Sequence, residues 1–247
     1  MEQKQHSLWL PAVILAAGLV LAAGFLGTQL KNLRQPGEIT VKGLAEENHR
    51  ADTAEWQVGV ALQYPSYADA VAGLQRELPS VLDFLRQQGF DEQEIAVGSP
   101  NIGTHYDEVY ENERYRQVAN GFDAQQYVMV TTRDLDKLQK ANNAILELRA
   151  RSEYVRFEAP QYLLSNLEQI KHELIAKATA DAHRRAQEFA KSGDAKVTAM
   201  RSASQGAFNI LSNNISNEGD DNYGGQYDKS TVEKRVRLVV TIRYGVE

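Results

Sequence analysis

From Ser7 to Leu30 the chain carries no charged side chain, and Leu8 to Leu26 is almost purely apolar. A stretch of this kind has three possible homes: a bilayer, a removed leader or a protein core. As a helix, the nineteen residues Leu8–Leu26 would rise about 28 Å, close to the ~30 Å hydrocarbon thickness. Trp9 suits the interfacial belt, and Pro11 falls in the first turn, where a missing N–H costs little. A secretory leader has a shorter apolar run, about 7–15 residues, and a defined small-x-small cleavage site. Here Ala22, Ala23 and Gly24 offer only an indistinct one. A core helix of this length would show a polar face, and none is present. The reading is an uncleaved N-terminal anchor with its linker over residues 1–35 and a folded domain over 36–247. Lys4 and the α-amino group, set against Glu2, face Lys31 and Arg34 across the span, so the positive-inside rule does not orient it.

Composition bounds the nature of the remaining chain. Hydrophobic residues at 43% and charged residues at 24% are ordinary for a chain that buries a core, which argues against global disorder. A net charge of -6 lacks the basic excess of a general nucleic-acid binder, so no nucleic-acid partner is expected. The absence of cysteine excludes disulfides, thiolate metal sites and a cysteine nucleophile.

After Pro36-Gly37, Ile39 and Val41 start a strand that runs to Gly43. Ala54, Trp56, Val58, Val60, Leu62 and Tyr64 occupy every second position, the mark of a strand with one buried face. Ser66 and Asp69 open a helix with the stripe Val71, Leu74, Leu78, Val81 and Leu85, closed by Gly89. Pro79 inside it predicts a kink or two short helices. A third strand is expected over Ile95, Val97 and Ile102, a solvated hairpin tip over His105–Tyr115, and a strand over Phe122–Thr132. A helix comes next from Asp134 to Leu148, then a strand around Tyr154, Val155 and Phe157. Ser165 and Glu168 form a capping box for a long helix whose face carries Ile170, Leu174, Ala178, Ala182, Ala186 and Phe189, with Gly193 as its cap. Val197 and Ala199 begin a short strand, Asn209–Ser230 reads as a long loop, and Val232–Tyr244 alternates as the last strand. The fold class is α+β, with about three helices packed on largely antiparallel sheets.

The search for chemistry yields near-misses. His172-Glu173 begins like a zincin helix, but Ala176 stands where the second histidine must be. His183 lies eleven residues on, about 16 Å along a helix, too far to share an ion. The run Asp220 to Gly225 starts like a calcium loop, yet Gly224 offers no side-chain oxygen and Thr231 replaces the bidentate glutamate. Carboxylates cluster at Glu46–Glu47, Asp91–Glu94 and Asp107–Glu113, in expected turns where solvated charge is usual. Arg184-Arg185 reads as an exposed helix face, and Asn214-Ile215-Ser216 as a chance glycosylation sequon. No phosphate loop, nucleophile elbow or dinucleotide fingerprint occurs. No catalytic, cofactor-binding or metal-ligating residue is assigned, and no cofactor is expected.

Several segments taken together are more informative. They are Val41-Lys42-Gly43-Leu44-Ala45-Glu46, Ala51-Asp52-Thr53-Ala54 before the Trp56 strand, Gly89 to Ile95, the alanine-rich 166–192 helix and Arg201 to Phe208 (RSASQGAF). With the final valine-rich strand, their order and spacing resemble the SIMPL-domain family, once known only as a domain of unknown function, and its signal-anchored bacterial envelope members in particular. The resemblance implies an α+β fold, a periplasmic or membrane-attached location, self-assembly in some members and a link to oxidative-stress tolerance in others. It carries over no catalytic residue. Gly43, Asp52 and Gly206 match recurrent family positions and read as structural: a strand bulge or close approach, a turn contact and a loop exit.

The expected function is a non-enzymatic envelope protein of the inner membrane. It is tethered through Leu8–Leu26 as a single-pass chain, its domain is periplasmic, and it is a homo-oligomer. Two alternatives stand beside it: a binding module for a small ligand or envelope polymer, using the 206–230 loop and the acidic hairpin, and an unrecognised hydrolase with converging carboxylates.

Overall fold

The computed structural model describes residues 9–32, 37–111, 114–213 and 225–247, and within the first helix the side chains from Val13 to Phe25. The elements in chain order are α1 (Trp9–Asn32), β1 (Gly37–Arg50), β2 (Thr53–Tyr64), α2 (Tyr67–Gln87), β3 (Ile95–Val97), β4 (Asn101–Glu111) and β5 (Arg114–Thr132). Then come α3 (Leu135–Arg151), β6 (Val155–Phe157), β7 (Gln161–Leu163), α4 (Leu167–Ser192), β8 (Val197–Ser212) and β9 (Glu233–Val246). The chain is α+β with antiparallel pairing throughout the six-stranded sheet. Two compact units are distinguished: Leu44–Thr179 with Gln205–Val240, and Met1–Gly43 with Ala180–Ser204 and Thr241–Glu247.

In the first unit the alternation of β2 decides the architecture. Ala54, Trp56, Val58, Val60 and Leu62 point to one face and are buried there. β5 pairs along the whole strand, from Ala54↔Thr132 to Tyr64↔Phe122. β3 and β4 extend the sheet beyond β5, while β6 and β7 share the other edge of β2. α2 and α3 cover the apolar face, packing Leu74, Val81, Leu85, Leu138 and Ile145 against Trp56, Val58, Val128 and Val130. The buried indole is not left wanting: Trp56 Nε1 donates to the Glu158 carbonyl at 2.9 Å.

Local chemistry sets the helix ends. Ser66 Oγ accepts from the Asp69 amide at 3.2 Å, and Asp134 Oδ1 from the Lys137 amide at 2.9 Å. α2 closes on Gly89 at φ 87. The Gly89 amide reaches Arg86 O and the Phe90 amide reaches Leu85 O, which together make a Schellman ending. Pro79 does not divide α2 into two helices. It sits on the exposed side of one continuous helix.

Several sequence expectations are corrected. The third strand is two, β3 and β4. His105–Tyr115 is largely ladder rather than tip: residues 106–111 pair with 114–119. β7 has no counterpart among the expected strands, and β8 is sixteen residues long rather than a short strand, because its polar half (RSASQ) is exposed on both faces and so does not alternate. Asn209–Ser212 belongs to β8, and Ile210 forms a bridge with Tyr227. Residues 214–224, which include the sequon and Asp220 to Gly224, lie outside the described residues.

In the other unit, the second half of α4 buries Ala182, Ala186 and Ala190, and Phe189 is 63% exposed rather than in the stripe. The stripe steps by four, not by three and four, so Ala190 takes the place expected for Phe189. Beyond Ser192, the left-handed residue is Asp194 (φ 51), not Gly193. The Ala195 amide bonds Ala190 O to complete that turn. Lys196 and Glu247 exchange both backbone hydrogen bonds, which sets β8 antiparallel to β9. The three-stranded sheet has the order β1-β9-β8.

α1 is helical over residues 9–32, and its large apolar side chains from Val13 to Phe25 are 59–74% exposed. Leu8 and the side chains flanking that stretch lie outside the described residues. Among the described residues no helix is long and apolar enough to cross a membrane.

Candidate functional site

Because side chains alternate along a strand, burying Val60 and Leu62 turns Ala61 and Gln63 to the opposite face. The register aligns that face in rows. Ala61 stands opposite Gln125, which pairs in turn with Asn101; Gln63 stands opposite Asp123, which pairs with Gly103. Small residues at Ala61 and Gly103, with larger neighbours around them, leave a cleft of ≈ 670 Å³. Thr104, Glu153, Tyr154 and Arg156 complete its lining. In the adjoining row Gly59 faces Tyr127 and Arg156. A Cβ at Gly59 would sit 2.3 Å from Gln126 O and 2.9 Å from Tyr127 Cδ1, so the glycine is what lets that ring lie down.

Some lining groups are fixed and others are open. Gln63 Nε2 donates to Asn120 O at 3.0 Å, and Arg156 Nη1 donates to Glu153 O at 2.6 Å and Val155 O at 3.0 Å. Gln125 Oε1 accepts from Tyr127 Oη at 3.3 Å, leaving its amide N–H groups to donate. Among the described residues the Asn101 carboxamide and the Glu153 carboxylate have no side-chain hydrogen bond, so both face the cleft ready for a partner.

At one end of the cleft the β4–β5 hairpin leaves the sheet. The ladder shifts register between Thr104 and Tyr106, and Gly121 across from it adopts φ 87. His105 fills the irregularity: Nδ1 lies 2.8 Å from Asp123 Oδ2 and Nε2 lies 3.1 Å from Asp107 Oδ1. The bond to Asp123 raises the imidazole pKa above its ordinary value; burial opposes this, and the bond to Asp107 adds to the rise. Both nitrogens donate only in the imidazolium form. Beyond this point the hairpin exposes Tyr106, Val109, Tyr110 and Tyr115, and the last two rings lie 5.0 Å apart.

The site thus contains two carboxylates, Asp123 and Glu153, and a histidine with acidic partners. Yet His105 has both nitrogens committed, so it has no free lone pair with which to take a proton, and among the described residues no hydroxyl hydrogen-bonds to it. The groupings read from sequence behave otherwise. Glu46 pairs with Arg237 (3.3 Å) and Glu47 with Lys177. Glu94 accepts from Lys137 at 2.7 Å and from Thr132 at 2.5 Å; burial opposes its ionisation, but these bonds outweigh it and lower its pKa. His172 is exposed, and the His183 ring packs 5.4 Å from Tyr244. No group of three or more metal-ligating side chains converges among the described residues.

Asp52, expected to make a turn contact, instead reaches a residue far along the chain. Its carboxylate accepts from the Ser165 amide and hydroxyl, both at 2.8 Å. The capping box expected at Ser165 is therefore replaced: the helix starts at Leu167, and Ser165 serves Asp52. Gly206 is not a loop exit but lies inside β8, where a Cβ would stand 3.2 Å from Val239 O. Sequence reading also missed Lys234, a wholly buried ammonium donating to Asp228 O and Thr231 O, each at 2.6 Å. Asp228 is itself pushed down to about 2: burial resists its ionisation, and bonds from Ser230 and Thr231 with the charge of Lys234 overcome that.

Residues 39–244 match the SIMPL model, described as a protein of unknown function (DUF541). The chain belongs to the SIMPL family. This SIMPL protein is also similar to the "Interleukin-1 receptor-associated kinase 1-binding protein 1 homolog" of Xenopus laevis, 28% identical over 156 residues. That alignment covers 62% of this chain and 57% of the relative, so the SIMPL chain spans less than two thirds of that protein's length.

Proposed function

We propose that this SIMPL protein is a non-enzymatic envelope protein, held at the inner membrane by its N-terminal segment and self-assembling through its folded part. The observation that carries the reading is α1: from Val13 to Phe25 it is apolar on every side and exposed, with no polar face to turn to water. The uncharged sequence from Leu8 to Leu26 extends that surface to the length of a span. The resemblance to envelope members favours a periplasmic domain and a role in envelope maintenance or oxidative-stress tolerance. A binding role rather than catalysis is supported by the committed nitrogens of His105 and by the Xenopus laevis relative, which is named for binding a kinase.

The test is fractionation of the full chain. It should stay with membranes through alkaline extraction, and Leu15→Lys combined with Leu19→Lys should release it, since each charge at mid-span costs about 2.5–3.5 kcal/mol. A wild-type chain found wholly in the soluble fraction would rule the tether out. Light scattering on the detergent-solubilised chain tests assembly, and a strict monomer at high concentration counts against it. A second reading, as a ligand-binding module, is favoured by the cleft and its unpartnered Asn101 and Glu153 side chains.

A further inference from the structure

We propose that the cleft on the open face of the six-stranded sheet binds a neutral oligosaccharide. This rests on the second reading, that the cleft is a binding site, and adds the class of its ligand.

Within the cleft rows β5 is paired on both sides, by β4 and β2, while β6 pairs with β2 only from Val58 to Val60 and the Ala61 amide reaches Tyr154 O. The centre of the floor, along β5, therefore has no spare backbone edge to which an extended peptide could add as a strand, and recognition there falls to side chains. Leu62 and Ala124 border the cleft but are 6% and 1% exposed, their side chains committed to the core on the other face. An acyl chain or an aromatic ligand finds no apolar pocket there. The lining carries two carboxylates, Asp123 and Glu153, against the single guanidinium of Arg156, which is already bonded to two carbonyls. A phosphate or an acidic sugar would enter a negative field.

The remaining lining groups suit hydroxyls. The Asn101 carboxamide donates and accepts in one plane, Gln125 offers its amide N–H groups, and the Glu153 carboxylate accepts from adjacent hydroxyls. Tyr127, whose ring lies over Gly59 in the adjoining row, supplies a face against which the apolar side of a sugar can lie. The rows cross β4, β5, β2 and β6, a width of about 14 Å at ~4.8 Å per strand, which is room for about two or three sugar rings. The cleft is open to solvent, so a longer chain can run on past it.

The experiment uses the full chain in a detergent without a sugar headgroup. Cellotetraose, maltotetraose and chitotetraose, each beside its monosaccharide, are titrated by calorimetry and by saturation-transfer NMR, with an unstructured hexapeptide as comparison. At least one tetrasaccharide should bind roughly tenfold more tightly than its monosaccharide, and Gln125→Ala or Asn101→Ala should weaken it about 2–10-fold, the loss of one net hydrogen bond. Glu92→Ala, outside the cleft, should leave it unchanged. Equal affinity in wild type and both cleft variants, with circular dichroism unaltered, overturns the proposal. Peptide binding abolished by the cleft variants, with no sugar bound, overturns the ligand class and keeps the binding reading; no binding of either kind overturns both.

Discussion

On the helix-covered face of the six-stranded sheet, Trp56, Val58, Val60, Val128 and Val130 are at most 1% exposed. On the other face, the positions between them hold Gln57, Gly59, Ala61, Gln125, Tyr127 and Met129. Backbone, strand order and register are common to both, so the difference lies wholly in side-chain choice. One face gains stability from apolar area removed from water, at about 25 cal/mol per Å². The other contributes little burial and instead holds amides, carboxylates and a ring around a shallow floor. Stability and recognition are thereby carried by alternate residues of the same strands and can be changed separately.

That separation can be broken or sharpened by experiment. The largest effect is expected from Trp56→Ala, which empties the centre of the covered face and should cost about 3–5 kcal/mol in denaturant unfolding; a loss below ~1 kcal/mol would mean that the face is not a packed core. Gly59→Ala probes an open-face position where the backbone is crowded. It should cost about 1–3 kcal/mol through displacement of Tyr127 and Gln126, and a neutral result would show that the row relaxes freely.

His105 provides a pH test at the edge of the cleft. Its folded pKa is raised by Asp123 and Asp107. Its stabilisation is therefore complete below the unfolded value of about 6.5 and is lost as pH rises through the folded value. Amide protection from Tyr106 to Glu111 and from Arg114 to Val118, corrected for intrinsic exchange chemistry, should fall as pH rises above about 6.5 in the wild type and stay level in His105→Asn. Matching profiles in the two proteins would dismiss the clamp. The smallest effect belongs to Gln125→Ala, within about 0.5 kcal/mol on stability. A larger loss would show that the open face also carries the fold.

The covered face is legible in the sequence because it depends on periodicity. Ala54 to Leu62 alternate without interruption, and the stripes of α2 and α3 repeat at helical spacing, so partners of both kinds declare themselves locally. The cleft is not legible for the complementary reason. Its residues are those that alternation assigns to solvent, and only register brings Asn101, Gln125 and Ala61 into one row across three strands. His105 reads as part of a turn because an acidic, tyrosine-bearing segment looks solvated, whereas its carboxylates come from Asp107 nearby and Asp123 across the hairpin. Lys234 is hidden for another reason: alternation sets it in phase with Val236 and Leu238 on the buried face, but a charged residue there is read as solvated, and its carbonyl cage is built by a turn that composition cannot describe. Asp52 can be read as a turn residue, but its partner Ser165 lies 113 residues away.

The pairing of β1 with β9 has a consequence for biosynthesis. The strand made first in the folded part takes its neighbour from the strand made last. At about 5–20 residues per second, β1 emerges roughly 10–40 s before β9 exists to meet it. During that interval its edge is an unpaired template, open to any strand passing nearby. Closure of the three-stranded sheet therefore waits until Glu233–Val246 has left the ribosome. A ribosome stalled before Glu233 holds a chain in which that sheet cannot close, however complete the six-stranded sheet has become.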